Sequence, residues 1–158
     1  MAINNFPFIK TDYLKQYAIP AIDKNVDNNH LVPYIFDAQS RYLIPSLGSY
    51  FFDDLKTKGL AGTLSTDEQS LIDDYIKPMV LHYTIMGLLE DGASLVSNKG
   101  MLEKNATFAN PMTQPDIIRK SNLSRNRAED YRTRLVKFLL DNYSTFYGLS
   151  YSGVQNIY

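Results

Sequence analysis

Residues 65–90, STDEQSLIDDYIKPMVLHYTIMGLLE, contain the clearest helix signal in the chain. Their first residues match a capping box, as Ser65–Glu68 or as Thr66–Gln69, which would satisfy N–H groups that the first helical turn leaves unpaired. Apolar residues then recur at helical spacing on two sides, which predicts a helix to about Leu89 that is central in a bundle. Pro78 should kink this helix.

Three helical segments are predicted before the central helix. The first is only a brief turn, which Thr11-Asp12 could cap and which would extend through Tyr17. Helical spacing of apolar residues predicts a second from about His30 to Tyr42. Pro45 should end it and begin a third, because the residue before a proline is pushed out of the helical region. This third helix is expected to end at a Gly59 cap. Its predicted apolar stripe contains Leu47, Tyr50, Phe51 and Leu55.

The chain after the central helix changes in character. A glycine in the turn Asn98-Lys99-Gly100, between the short runs 93–97 and 101–103, predicts a β-hairpin. Residues 105–114 are polar, with prolines close by, and are expected to form an extended arm. The last helix is predicted from roughly Asn126 to Tyr143, or from nearer Asp116, with Tyr131, Leu135, Phe138 and Leu139 on one face.

The expected fold is mainly α, a four-helix bundle with a β-hairpin or extended arm inserted before the last helix. Residues 1–28 are expected to be an N-terminal extended or short-helical segment. Residues 29–147 form the helical domain, with the arm at 92–115, and residues 148–158 form a C-terminal tail. A length of 158 residues suits a single core of this kind.

The composition excludes several classes of protein. The chain has no cysteine, which excludes disulfides and thiolate metal sites. No apolar stretch reaches the roughly 20 residues that a membrane span needs, and no basic, apolar leader is visible at the N-terminus. Apolar residues make up 44% and charged residues 21%, as in an ordinary globular protein, which argues against a disordered chain.

Patterns of catalytic or cofactor-binding residues are missing from the sequence. The two histidines, His30 and His82, do not form a zinc motif, and the scattered glycines do not form a phosphate-binding loop. Adjacent carboxylates on a helix point about 100° apart and do not converge on one atom. We therefore expect no enzyme, cofactor or metal. His82 is interpreted as a hydrogen-bonded interior histidine, and an enzyme centred on it is the alternative.

The charge is divided unevenly along the chain. Residues 1–92 contain 12 acidic and 7 basic side chains, whereas residues 93–158 contain 5 acidic and 9 basic ones. Three interpretations of the arginine-rich segment 116–137 stay open: a solvated helix face, a nucleic-acid-binding module, or pairing with acidic helices of a neighbouring copy. The last interpretation assigns a subunit interface to Arg119, Arg125, Arg127, Arg132, Arg134, Asp53, Asp54, Asp73 and Asp74.

The aromatic residues of this chain are unusual in kind, because tyrosine predominates. The chain has 12 tyrosines and 8 phenylalanines but no tryptophan. Tyrosine combines a large apolar face with a polar tip, which suits surfaces that become buried only on assembly. The tyrosines are therefore expected either in a tyrosine-rich core or at contacts between chains.

The order of these segments resembles the head-to-tail connector, or adaptor, proteins of tailed bacteriophages, especially those of crAss-like phages. The resemblance covers about two thirds of the chain. Residues 31–48 resemble the family's first helix and turn, and residues 66–89, with Lys77-Pro78, resemble its long middle helix. Asn98-Lys99-Gly100 resembles the start of its projecting hairpin, and residues 128–147 resemble its final helix and aromatic ending.

This resemblance implies a structural virion protein at the head–tail junction, made in the host cytoplasm. Such proteins form an oligomeric ring, usually dodecameric, that extends the DNA channel below the portal protein and seats the next tail or ring protein. The implied partners are other copies, the portal protein and, transiently, genomic DNA, with no membrane. The arm would contact the portal or a neighbour through Lys99, Gly100, Met101 and Phe108.

Overall fold

The computed structural model describes residues 6–91, 102–104, 109–111 and 113–148. The prediction of a mainly α protein is confirmed. In chain order, the helices are α1 (Thr11–Tyr17), α2 (Asn28–Ala38), α3 (Ile44–Leu47), α4 (Ser49–Ala61), α5 (Thr66–Leu71), α6 (Lys77–Asp91), α7 (Gln114–Asp141) and α8 (Tyr143–Tyr147), with π-helical segments at Gln39–Leu43 and Ile72–Ile76.

The predicted capping box begins the central helix. The Glu68 N–H donates to Ser65 Oγ at 3.2 Å, and the Ser65 N–H donates to Glu68 Oε2 at 2.9 Å. The other Glu68 oxygen accepts from Lys58 Nζ at 2.6 Å, which ties the start of α5 to the end of α4. The box is therefore both a helix cap and a contact between two helices.

A π segment lies shortly before Pro45 in the helical run 28–47 and shortly before Pro78 in the helical run 66–91. Gln39–Leu43 lies before Pro45, and Ile72–Ile76 lies before Pro78. A proline has no N–H to donate, and its ring clashes with the carbonyl four residues earlier in a regular helix. The residue before each proline donates five residues back instead, as Ile44 does to Gln39. Both helical runs therefore continue past their prolines.

The predicted break at Ile44-Pro45 is consequently wrong. The helical run ends at Leu47, and Gly48 adopts a φ of +81°, a conformation that favours glycine. The prediction of a cap at Gly59 is also wrong, because α4 extends to Ala61 and Gly62 has the left-handed conformation. Gly59 instead allows a close approach, since a Cβ there would lie 2.6 Å from Phe6 Cζ.

The segment before α7 differs from its prediction. Strand β1 (Leu102–Lys104) pairs antiparallel with strand β2 (Ala109–Pro111). The strands therefore do not enclose the turn expected at 98–100, and β2 lies in the stretch that was predicted to be an extended arm. Residues 93–97 and that turn lie outside the described residues, so the hairpin expected there is not supported. Helix α7 begins at Gln114, capped by Thr113, which agrees with the earlier of the two predicted starts.

The N-terminal segment is part of the core. Phe8, Ile9 and Leu14 are buried. Gln39, itself buried, holds this segment by accepting from the Phe8 N–H at 2.7 Å and donating to the Phe6 carbonyl at 3.1 Å. A side-chain amide thus replaces a backbone partner for two groups that would otherwise lose hydrogen bonds on burial. Segment 1–28, as far as it is described, is not an independent extension.

Helix α6 is the centre of the molecule. All residues from Met79 to Met86 are buried, as expected for a helix packed on two sides. It packs along α7 on one side and against α2 on another. The predicted inward face of α7 is confirmed in outline, because Leu135 and Leu139 are buried and Tyr131 and Phe138 are partly buried against the core.

Candidate subunit interface

A polar and aromatic network fixes α7 relative to the rest of the fold. The rings of Tyr42 and Tyr83 stack with centroids 3.7 Å apart. The Tyr83 hydroxyl donates to Glu129 Oε1 at 2.6 Å, and burial, followed by this contact, raises the Tyr83 pKa. Arg132 Nε donates to Ser46 Oγ at 3.1 Å, which links α7 to α3. The register of α7, and so the position of each of its arginines, follows from these contacts.

His82 is a buried residue of α6 and packs against α7. It is 8% exposed, and its ring stacks on Tyr131 with centroids 5.8 Å apart. Burial, with a smaller contribution from the Arg127 charge, lowers the His82 pKa from 6.5 to about 4. The prediction of a fully hydrogen-bonded interior histidine is wrong for one atom, because Nδ1 is buried without a partner. Two shallow grooves lie away from His82, along the first turns of α7.

The five predicted interface arginines do not form one basic face. Arg125 donates to Glu90 at 2.6 Å, and Arg132 contacts Ser46, so both are engaged across helices within the chain. Arg119 and Arg134 pair with carboxylates of α7 itself. Arg127 is exposed and has no ion pair with a described residue. This distribution gives no support to the nucleic-acid-binding alternative, which would need a continuous basic surface.

The four predicted interface aspartates fall into two groups. Asp53 and Asp54 lie on the outer side of α4, where Lys56 and Lys58 pair with them at 3.5 and 2.7 Å. Asp73 pairs with Lys77, and this contact is the main cause of its lowered pKa. Asp74, next to it, is exposed. Most of these carboxylates are therefore partly neutralised by lysines of their own helix.

Helices α1 and α7 together present what we call the tyrosine–arginine surface. The rings of Tyr13 and Tyr17 lie 4.7 Å apart, and burial, then the proximity of Tyr17 and Tyr131, raises the Tyr13 pKa. The Arg134 guanidinium lies 5.6 Å from the centre of the Tyr131 ring. Tyr17 is 50% exposed. The surface consists of Tyr13, Tyr17, Ile19, Arg127, Tyr131 and Arg134.

The outer face of α4 presents a second surface, which we call the α4 stripe. Tyr50 is 95% exposed and Leu60 is 69% exposed, with the two aspartates between them. A ten-residue separation corresponds to about 15 Å along a helix. The stripe consists of Tyr50, Asp53, Asp54, Thr57 and Leu60, which repeat at helical spacing.

The position of Tyr50 corrects the predicted apolar stripe of this helix. Leu47, Phe51 and Leu55 are buried as expected, but Tyr50 points outward. The reason is the phase of the helix: residues 51, 52 and 55 face the core, and residue 50 lies about 100° from residue 51. The acidic neighbours at 53 and 54 were the signal in the sequence that this side faces outward.

Several predictions concern features beyond these surfaces. Lys99, Gly100, Met101 and Phe108 lie outside the described residues, as does most of the tail 148–158. No cluster of potential metal ligands occurs in the described ranges. Within the same ranges, no helix combines the length and the apolar character that crossing a bilayer requires.

Comparisons with known proteins give one match. The model of a protein family described as a family of unknown function, DUF6712, matches residues 43–157. Neither a curated protein nor a solved structure matches the chain. The match includes α4 and α7 but not α1, so it contains the α4 stripe and only part of the tyrosine–arginine surface. Since it spans more than half of the sequence, the chain belongs to the DUF6712 family.

Proposed function

We propose that this protein is a structural virion subunit that forms an oligomeric ring at the portal vertex of a tailed bacteriophage. In this function it joins the head to the tail and continues the DNA channel. The order of its segments resembles the connector proteins named above, and the proposal starts from that resemblance.

One observation carries the proposal: the folded chain has two exposed surfaces of different chemistry on different helices. The α4 stripe combines an aromatic ring and a leucine with acidic groups, whereas the tyrosine–arginine surface combines aromatic rings with guanidinium groups. A closed ring requires that one surface of each subunit meets a different surface of the next. Tyrosine and arginine are also enriched among residues that dominate binding energy at protein interfaces.

The arrangement of ion pairs supports the proposal further. Pairs such as Arg41–Asp37, Lys77–Asp73 and Arg134–Asp130 join residues three or four apart in one helical run. Because these pairs form within one part of the chain, they do not change its net charge. The N-terminal part stays acidic and α7 stays basic. Arg125–Glu90 does join these two parts. A chain that keeps its charge division after folding can attract further copies head to tail.

The finer elements of the proposal concern the arm and the copy number. We propose that residues 92–115 form an arm that contacts the portal or a neighbouring copy, with Lys99, Gly100, Met101 and Phe108 at the contact. A dodecameric ring is the copy number that the resemblance implies. Both parts of the proposal rest on the resemblance.

The test is co-expression of this chain with an affinity-tagged portal protein encoded by the same genome. We expect a complex that survives size-exclusion chromatography and contains several copies of the chain per portal by light scattering. A Gln69→Ala variant, altered at an exposed position outside both surfaces, should bind equally well. Absence of the chain both from this complex and from purified virus particles would contradict the proposal.

A further inference from the structure

We infer that the α4 stripe of one copy docks on the tyrosine–arginine surface of the next copy. This inference rests on the proposed function, because it specifies the two surfaces that meet in the ring. It assigns a role to the most exposed aromatic residue in the described part of the chain, Tyr50. It also assigns one to Arg127, an exposed arginine that forms no ion pair within that part.

The charges of the two surfaces are complementary. Asp54 of the α4 stripe and the buried Glu68 of α5 share the single amino group of Lys58, at 2.7 and 2.6 Å, so one negative charge is in excess at the stripe. Arg127 provides a positive charge that forms no ion pair with a carboxylate of the described residues. Bringing these groups together would pair both charges, and complementary charge of this kind also favours the correct partner over others.

The apolar parts of the two surfaces are complementary as well. Tyr50 and Leu60 stand at the two ends of the α4 stripe, with the acidic groups between them. Tyr17 and Ile19, which are 50% and 57% exposed, are the apolar side chains of the tyrosine–arginine surface with the largest exposure. Docking would therefore bury apolar side chains around a central ion pair, which is the usual arrangement of a binding centre surrounded by groups that exclude water.

The two surfaces also meet one requirement of a ring, which is contact between unlike surfaces. The α4 stripe belongs to one helix, and the tyrosine–arginine surface belongs to α1, the residues after it and α7. A contact between them is heterologous, so each copy can use its stripe for one neighbour and its tyrosine–arginine surface for the other. A contact between two identical surfaces would stop at a dimer instead.

The absence of cysteine from the chain allows a direct test by cross-linking. A Thr57→Cys variant and an Asp130→Cys variant of the full chain are mixed and oxidised, alone at high concentration and in complex with the portal protein. Asp130 is exposed one helical turn from Arg127, so the second variant keeps that arginine in place. We expect a disulfide-linked dimer that contains one chain of each variant. The matched control replaces Thr57→Cys by Ser40→Cys, at an exposed position outside both surfaces, and should give at least about tenfold less cross-linked product.

A second measurement distinguishes this contact from any other. Tyr50→Lys should prevent binding through the α4 stripe, and Arg127→Glu should prevent binding through the tyrosine–arginine surface. Each should weaken self-association by roughly tenfold or more. In a mixture, the intact α4 stripe of the Arg127→Glu variant can still bind the intact tyrosine–arginine surface of the Tyr50→Lys variant. The two remaining surfaces of such a pair are both altered, so light scattering should show a dimer that does not grow further.

The outcomes separate this inference from the proposed function. A cross-link between positions 57 and 130, with growth of the mixed variants stopped at the dimer, supports the inference. Copies that bind the portal without this cross-link would overturn the inference and leave the proposed function in place. Failure of the wild-type chain to bind the portal and enter particles would overturn both.

Discussion

Tyr83 and Tyr50 show how differently one residue type is used in two regions of this fold. Tyr83 is 2% exposed, stacks on Tyr42 and donates its hydroxyl to Glu129 between α6 and α7. Tyr50 is 95% exposed on α4. The first region contributes to the stability of the isolated chain, whereas the second offers apolar area that the described residues leave exposed. Stability and association should therefore respond to different substitutions.

The largest effect should come from the buried tyrosine. Tyr83→Ala removes a buried aromatic ring, its stack with Tyr42 and its hydrogen bond, so the free energy of unfolding should fall by about 3–5 kcal/mol. Urea denaturation followed by circular dichroism measures this change. Tyr83→Phe keeps the ring, and we expect a loss of only about 1 kcal/mol. Equal losses in the two variants would show that ring packing is not the main contribution.

The second effect depends on pH and comes from the same region. The pKa of His82 is lowered from 6.5 to about 4 in the fold. Between these two values the unfolded chain therefore binds a proton at His82, whereas the folded chain does not. The free energy of unfolding should therefore decrease as the pH falls below about 6.5, by about 2 kcal/mol at about pH 5. Denaturant titrations at several pH values measure the slope. His82→Leu should flatten it, whereas a slope unchanged in this variant would assign the effect to other groups.

The third effect concerns the N-terminal segment. Gln39→Ala leaves the Phe8 N–H and the Phe6 carbonyl without their partner, so we expect a loss of about 2 kcal/mol. The matched control is Gln69→Ala, whose amide contacts only the exposed Asp73 and should contribute less than about 0.5 kcal/mol. Urea denaturation measures both changes. Similar losses from the two variants would show that the buried amide of Gln39 contributes no more to the free energy of unfolding than an exposed amide.

The smallest effect on stability should come from the exposed tyrosine. Tyr50→Lys removes a ring that is exposed to solvent in the isolated chain, so the free energy of unfolding should change by less than about 0.5 kcal/mol. Association between copies should nevertheless weaken. A melting curve beside a sedimentation experiment on the same sample separates the two quantities. A large loss of stability would place Tyr50 in the core region instead.

The sequence predicted the helices better than their breaks. Ser65 and Glu68 have the residue types and the spacing of a capping box, which predicts the start of the central helix. The structure confirms both hydrogen bonds of the box. The effect of Pro45 was predicted wrongly because a proline usually ends a helix. Here a π segment, which has no signature of its own in the sequence, lets the helix continue.

The candidate surfaces were only partly predictable. The arginines and aspartates are visible as charge patterns, but the choice between a pair within the chain and a free group depends on helix packing. Arg125 lies opposite Glu90, and Arg127, two residues later, points elsewhere. Tyr50 shows the same limit, because the side of α4 that faces the core differs by one position from the predicted stripe.

The claim that the two exposed surfaces belong at contacts between subunits is tested most directly by electron cryomicroscopy of the portal vertex in virus particles that contain this chain. We predict a ring in which the α4 stripe of each copy is buried against α1 and α7 of the next. A map in which Tyr50 and Arg127 face solvent in every copy, or a vertex that lacks the chain, would contradict it.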